Sequence, residues 1–141
     1  MSTVRLTASM FGLAFLFSLT GCVMSNTPMK APAAEGSVPV PAGFGADAVL
    51  SCVDTSVRAL HEKNELWNVR ITRRDAGRGL FETGDFDDDN IGGFRVSAQY
   101  APDANTVRLR LKGAGPYFMD LGVEKAFAEL DARMRQCLSA K

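Results

Sequence analysis

Residues 94–112 read FRVSAQYAPDANTVRLRLK, and this stretch decides the fold. Apolar and polar side chains alternate on both sides of the turn-forming segment Pro102-Asp103-Ala104-Asn105. Because successive side chains of a strand point to opposite faces of a sheet, the alternation predicts two strands, each with one dry face and one wet face. The short polar connection predicts that they pair as an antiparallel hairpin.

Two further strands are predicted upstream of this hairpin. Residues 67–72 alternate in the same way, beginning with Trp67. Residues 79–83 form a shorter candidate strand after the turn signal Asp75-Ala76-Gly77. Four strands therefore follow one another along the chain, which predicts an antiparallel meander with one face buried.

Apolar residues with helical spacing flank the strands on both sides. Residues 46–63 and 121–138 each carry an apolar residue at every third or fourth position, with charged residues on the opposite side. Both amphipathic helices are expected to cover the dry face of the sheet. The predicted fold is a two-layer α+β sandwich, in the order α-β-β-β-β-α, that occupies residues 44–141 as a single domain.

The N-terminal segment has the features of a bacterial export signal. Arg5 precedes an apolar run from Met10 to Leu19, which is too short to span a bilayer as an anchor. The run closes on Leu19-Thr20-Gly21-Cys22, which resembles the lipobox of bacterial lipoprotein precursors. This resemblance implies that residues 1–21 are a removable signal peptide, and that Cys22 carries a diacylglycerol and an amino-terminal acyl chain such as palmitate.

The residues after the lipobox indicate which membrane holds the protein and how the domain is connected to it. Val23 stands where an aspartate would be the best-known signal for retention in the inner membrane of enteric bacteria. The resemblance therefore implies the outer membrane, with the domain facing the periplasm and the inner membrane as the alternative. Residues 22–43 are rich in Pro, Ala, Ser and Gly and almost uncharged, which predicts a flexible tether between the lipidated cysteine and the domain.

Two of the three cysteines remain once Cys22 is assigned to the lipid anchor. Cys52 and Cys137 lie on the apolar stripes of the two predicted helices. An even number of cysteines in an exported protein indicates a disulfide, so this pair is expected to be bonded. Two buried free thiols are the alternative.

The sequence carries few residues suited to catalysis or metal binding. His61 is the only histidine, and a structural role near a helix end is favoured over a role as a catalytic base. The acidic run from Asp85 to Asn90 has the alternate spacing of a calcium loop, but Asn90 and Val96 replace its glycine and its bidentate glutamate. A solvated loop is expected, with weak calcium binding as the alternative, and no metal or cofactor is predicted.

Five basic residues fall on the predicted wet face of the sheet, here named the basic face: Arg70, Arg95, Arg108, Arg110 and Lys112. The chain has 16 basic and 16 acidic residues, so its overall charge does not favour nucleic acid as a partner. Guanidinium groups suit carboxylates and phosphates, which makes the basic face a candidate binding surface. The alternative is an ordinary solvated sheet surface, neutralised by acids such as Glu82 and Asp85.

These patterns lead to three functional hypotheses. The first is a membrane-anchored periplasmic lipoprotein that acts as a non-catalytic binding or assembly module of the cell envelope, with an envelope protein as its partner. The second is a binding protein for an anionic envelope ligand, such as lipopolysaccharide, peptidoglycan or phospholipid. The third is a small hydrolase that uses His61 as its base.

Overall fold

The computed structural model describes residues 29–140. Its helices and strands follow in the order β1 (Ala33–Pro39), α1 (Ala46–His61), β2 (Ile71–Asp75), β3 (Leu80–Thr83), β4 (Gly93–Ala101), β5 (Thr106–Ala114) and α2 (Val123–Ser139). The strands form one antiparallel sheet in the spatial order β1-β5-β4-β3-β2. The α+β class and the meander of β2 to β5 are confirmed.

The five-stranded sheet corrects the prediction of four strands. The additional strand, β1, lies within residues 22–43, which were expected to form a tether, and it pairs with β5 from Ala33 opposite Lys112 to Pro39 opposite Thr106. Every second residue of β1 faces the helices, where Ala34 and Val38 are buried. The strand escaped prediction because these inward residues are small, so the sequence shows no bulky apolar alternation there. The folded part therefore begins before residue 44.

Gly36 explains why β1 needs small residues. A Cβ atom at this position would lie 2.9 Å from Cζ of Phe127 on α2, which is closer than carbon atoms approach one another. The ring of Phe127 thus packs directly on the backbone of β1, and α2 covers this edge of the sheet.

We expect Gly36→Val to lower the free energy of unfolding by about 1–3 kcal/mol, because the added side chain overpacks against Phe127. Urea denaturation measures the change. Phe127→Leu in the same background should restore part of the loss, since it frees the space that the valine needs. Ser37→Val is the matched control, because Ser37 is the exposed neighbour on the same strand. Equal losses for the two valine variants would contradict the proposed contact.

The core lies between the sheet and the two helices. Inward side chains of β4 and β5, including Val96 and Leu109, pack against buried residues of both helices, including Val53 and Leu130. Both helices contact the sheet and each other. The disulfide between Cys52 on α1 and Cys137 on α2 is formed, with the two Cα atoms 5.8 Å apart, which confirms the predicted pairing.

The first strand of the meander begins later than predicted. β2 spans Ile71–Asp75, whereas the alternation of residues 67–72 had placed it earlier. Trp67 instead forms an isolated bridge to Phe94, and the two rings pack with their centroids 5.0 Å apart. The alternation therefore reflects the packing of a loop against the core, with Trp67 buried, and not the pairing of a strand.

The predicted signal peptide and Cys22 lie outside the described residues. Within residues 29–140, neither helix has both the length and the apolar character that crossing a membrane requires.

Candidate functional site

The basic face is largely neutralised by carboxylates. Nη2 of Arg108 lies 2.9 Å from a Glu35 carboxylate oxygen, and Nε of Arg110 lies 3.6 Å from the other oxygen of the same residue. Glu35 belongs to β1, so the unpredicted strand supplies the acid. At the other end of the sheet, Arg70 is paired with Asp85 and Lys112 with Asp89.

Arg95 is not part of this surface, because its side chain is fully buried. The loop of residues 84–92 folds back over part of the sheet face that lies opposite the helices. Nη1 of Arg95 donates to the backbone carbonyls of Asp85 and Asp88 in this loop. Burial lowers the pKa of the Arg95 guanidinium, and the nearby charges of Asp89, Asp88 and Asp85 act in the opposite direction. The placement of Arg95 on a wet face is therefore wrong, since the residue holds a loop in place.

Phe86, in the same loop, also packs on the sheet face opposite the helices. Its ring is buried, with the guanidinium of Arg110 and the ammonium of Lys112 at 5.3 Å and 4.9 Å from its centroid. Both distances allow cation–π contacts. Two of the basic residues thus pack on an aromatic ring of their own chain, which leaves less of them available to an anionic ligand.

Three of the four acidic residues of the same loop, Asp85, Asp88 and Asp89, also have partners within the chain. Asp85 pairs with Arg70, and Oδ1 of Asp88 accepts the backbone N–H of Asn90 at 2.8 Å. Nζ of Lys112 lies 2.8 Å from Oδ1 of Asp89 and holds the pKa of that carboxyl below its usual range. In the described part of the chain, no group of three or more metal-ligating side chains is placed to hold an ion.

A groove opens at the end of the sheet where β4 begins and β5 ends. Three loops form it, namely residues 65–70 after α1, residues 89–93 before β4, and residues 114–121 between β5 and α2. Its volume of about 900 Å³ is within the range of ligand pockets. Most of the lining is apolar, and its larger apolar side chains are Leu66, Trp67, Val69, Ile91, Tyr117, Phe118 and Leu121. We name this feature the apolar groove.

The loops are held together by backbone hydrogen bonds. The N–H of Phe94 donates to the carbonyl of Leu66 at 2.8 Å, and the N–H of Gly115 donates to the carbonyl of Met119 at 2.7 Å. Gly93 has a φ of +87°, and a Cβ atom there would lie 2.6 Å from the carbonyl oxygen of Leu66. Only glycine fits this close approach, so Gly93 is required for these two loops to meet at the wall of the apolar groove.

The rim of the apolar groove contains a strained segment. Tyr117 and Phe118 have φ angles of +55° and +59°, in the left-handed region that residues with a side chain rarely adopt. Such residues cost roughly 1–3 kcal/mol each and tend to occur at functional sites. The strained backbone holds the Tyr117 side chain 94% exposed, where it gains almost no burial in return.

His61 lies at the end of α1 and lines the apolar groove. Its Nδ1 is 2.7 Å from the carbonyl oxygen of Trp67. Since a carbonyl only accepts, Nδ1 carries the hydrogen and the ring is fixed by the loop that follows the helix. Among the described residues that line the apolar groove there is no serine, threonine or cysteine, so no hydroxyl or thiol nucleophile of these types stands beside His61.

The apolar groove was missed by the sequence analysis because its residues are distributed over three loops. Each loop supplies only part of the lining, so no continuous stretch of the sequence shows the whole groove. The stretch Gly115-Pro116-Tyr117-Phe118-Met119 was the available signal, since three bulky apolar residues in a row are unusual in a turn.

Comparison with known proteins identifies no relative of this chain. No protein-family profile matches it, and neither a curated protein nor a solved structure shows significant similarity.

Proposed function

We propose that the protein is a membrane-anchored lipoprotein of the bacterial cell envelope whose periplasmic domain binds a partner without catalysing a reaction. The lipobox Leu19-Thr20-Gly21-Cys22 carries the anchoring part of this proposal. The disulfide between Cys52 and Cys137 supports export, because such bonds persist in oxidising compartments. With Val23 after the anchor cysteine, the outer membrane is the proposed location.

The apolar groove supports binding as the activity of the domain. Its volume and mostly apolar lining are typical of binding sites that use a few polar groups to orient a ligand. Catalysis is disfavoured because the single histidine donates through Nδ1 to a backbone carbonyl and has no hydroxyl or thiol of Ser, Thr or Cys beside it among the described lining residues.

The second hypothesis, an anionic ligand bound by the basic face, receives less support. Binding such a ligand would require Arg108 and Arg110 to leave Glu35, and Lys112 to leave Asp89. It would gain nothing from Arg95, which is buried.

We expect Cys22→Ser to abolish labelling of the protein by radioactive palmitate, because the lipobox resemblance makes the cysteine and its new amino terminus the sites of acylation. Labelling of cells followed by immunoprecipitation of the protein measures this effect. Labelling that survives the substitution would overturn the anchoring proposal.

A photo-crosslinking residue tests the binding site in the same cells. It is placed at Tyr117 on the rim of the apolar groove, with Thr106 at the opposite end of β5 and Ala132 on α2 as controls. An adduct formed from position 117 alone would support the apolar groove as the binding site. Equal adducts from all three positions, or none from position 117, would count against it.

A further inference from the structure

We infer that the apolar groove and its rim rest on the surface of the membrane that holds the anchor, and that lipid acyl chains occupy the groove. The inference rests on the proposed function, because it names the partner of the same site. Three independent features of the described residues carry it: the distribution of exposed apolar side chains, the position where the chain enters the fold, and the balance of charge on the rim.

The exposed apolar side chains are concentrated at one end of the molecule. In residues 29–140 the large apolar side chains that stand exposed are Met29, Leu66, Tyr117 and Met119, with 62, 48, 94 and 59% of their surface accessible. Leu66 and Tyr117 line the apolar groove, and Met119 is hydrogen-bonded through its carbonyl to Gly115, another lining residue. A clustered apolar surface of this kind marks a protein or membrane contact.

The chain enters the fold beside the same groove. The carbonyl of Pro32 accepts the N–H of Gly113 at 2.9 Å, at the end of β5 that forms the groove. The backbone of Ala31 helps to lower the pKa of Asp89, a lining residue, so Ala31 lies beside that carboxyl group. Met29, the fourth exposed apolar residue, is two positions earlier in the chain and therefore lies near this end of the sheet.

This position limits the distance between the apolar groove and the membrane. Ala31 is nine positions after Cys22 in the sequence. A chain of that length spans at most about 32 Å, whatever its conformation. Because β1 takes up residues that were expected to lengthen the tether, an anchor at Cys22 keeps the apolar end of the domain close to the bilayer.

The charges of the rim favour apolar insertion over electrostatic attraction. Arg70 and Lys112 are paired with Asp85 and Asp89, and Glu65 and Asp120 add negative charge near the rim. No surplus of positive charge therefore faces the lipid headgroups among these residues. Tyr117, with its apolar ring and polar hydroxyl, is suited to the interface between acyl chains and headgroups.

Vesicle binding tests the inference without the lipid anchor. Residues 22–141 carrying Cys22→Ser include the whole described fold, and they are mixed with vesicles of pure phosphatidylcholine and separated by flotation. We expect the protein to float with the vesicles, and the bound fraction to stay within about twofold between roughly 0.05 M and 0.5 M salt, because screening weakens electrostatic but not apolar contacts. Leu66→Ser with Tyr117→Ser should lower the partition coefficient about tenfold or more.

The control introduces two serines at exposed positions away from the apolar groove. Ala104→Ser with Ala132→Ser alters exposed residues of the β4–β5 turn and of α2, and it should leave the partition coefficient unchanged. Thermal unfolding of both double variants checks that the fold is retained. Absence of flotation would overturn the inference, as would binding that needs anionic lipid and is lost in salt. A discrete protein adduct from position 117 in cells, together with absence of flotation, would overturn the inference while leaving the proposed function intact.

Discussion

Removal of the disulfide should lower the free energy of unfolding by about 4–5 kcal/mol, because the bond closes a loop across 85 residues of sequence. The loop contains the whole meander of β2 to β5, so its closure restricts the unfolded chain strongly. For a domain of this size the loss corresponds to a fall in melting temperature on the order of 15 °C or more. The double substitution Cys52→Ala with Cys137→Ala, followed by thermal unfolding, measures it.

Reduction of the unchanged protein separates the bond from the packing of its sulfur atoms. Dithiothreitol should lower the melting temperature of the natural chain by a similar amount, since it opens the loop without removing any atoms from the core. The double alanine variant should not respond to the reductant. A variant that melts at the same temperature as the oxidised natural protein would show that the bond adds nothing to stability.

Arg95→Ala should cost about 3–5 kcal/mol of unfolding free energy, which is typical of removing one partner from a buried charged network. The substitution leaves a cavity and two backbone carbonyls without their donor, and it removes the positive charge near the carboxylates of Asp89 and Asp88. Amide hydrogen exchange should show faster exchange throughout the loop of residues 84–92, because Arg95 holds this loop on the sheet.

Two other variants identify the cause of that loss. Arg95→Met keeps the length of the side chain and removes its charge, so it should cost much less, since a buried ion can often be replaced by an apolar residue of similar volume. Arg108→Ala is the surface control, and the loss of its exposed pair with Glu35 should stay within about 1 kcal/mol. If the alanine and methionine variants at position 95 lost the same free energy, the role of the buried charge would be refuted.

Strong local patterns made most of the fold predictable from the sequence. The hairpin of β4 and β5 follows directly from alternation over residues 94–112, and the disulfide follows from two cysteines on apolar helix stripes. β1 was not predictable in the same way, because Gly36 is an inward position that the ring of Phe127 fills, and Phe127 lies about ninety residues later in the sequence. Its strand structure depends on a tertiary contact that no local pattern contains.

The candidate site was likewise predictable only where local patterns in the sequence determine it. The basic residues of β5 were correctly placed on the outer side of the sheet, but their partners Glu35 and Asp89 come from a strand and a loop whose positions the sequence does not reveal. Alternation alone also placed Arg95 with them, because it cannot show that a loop folds back over part of the outer face. The apolar groove depends on three loops meeting, so it becomes visible only in three dimensions.

The position of β1, the first strand of the chain and an edge strand of the sheet, has a mechanical consequence if Cys22 is the lipid anchor, as proposed. Tension on the anchor would then enter the described fold at the residues just before β1. Its backbone pairs with β5 over seven residues, from Ala33 to Pro39. A pull along the strand loads these hydrogen bonds together in shear, whereas a pull across the strand would open them one after another. Under the proposed anchoring, a pull along β1 would therefore be resisted by the pairing of the two strands as a whole.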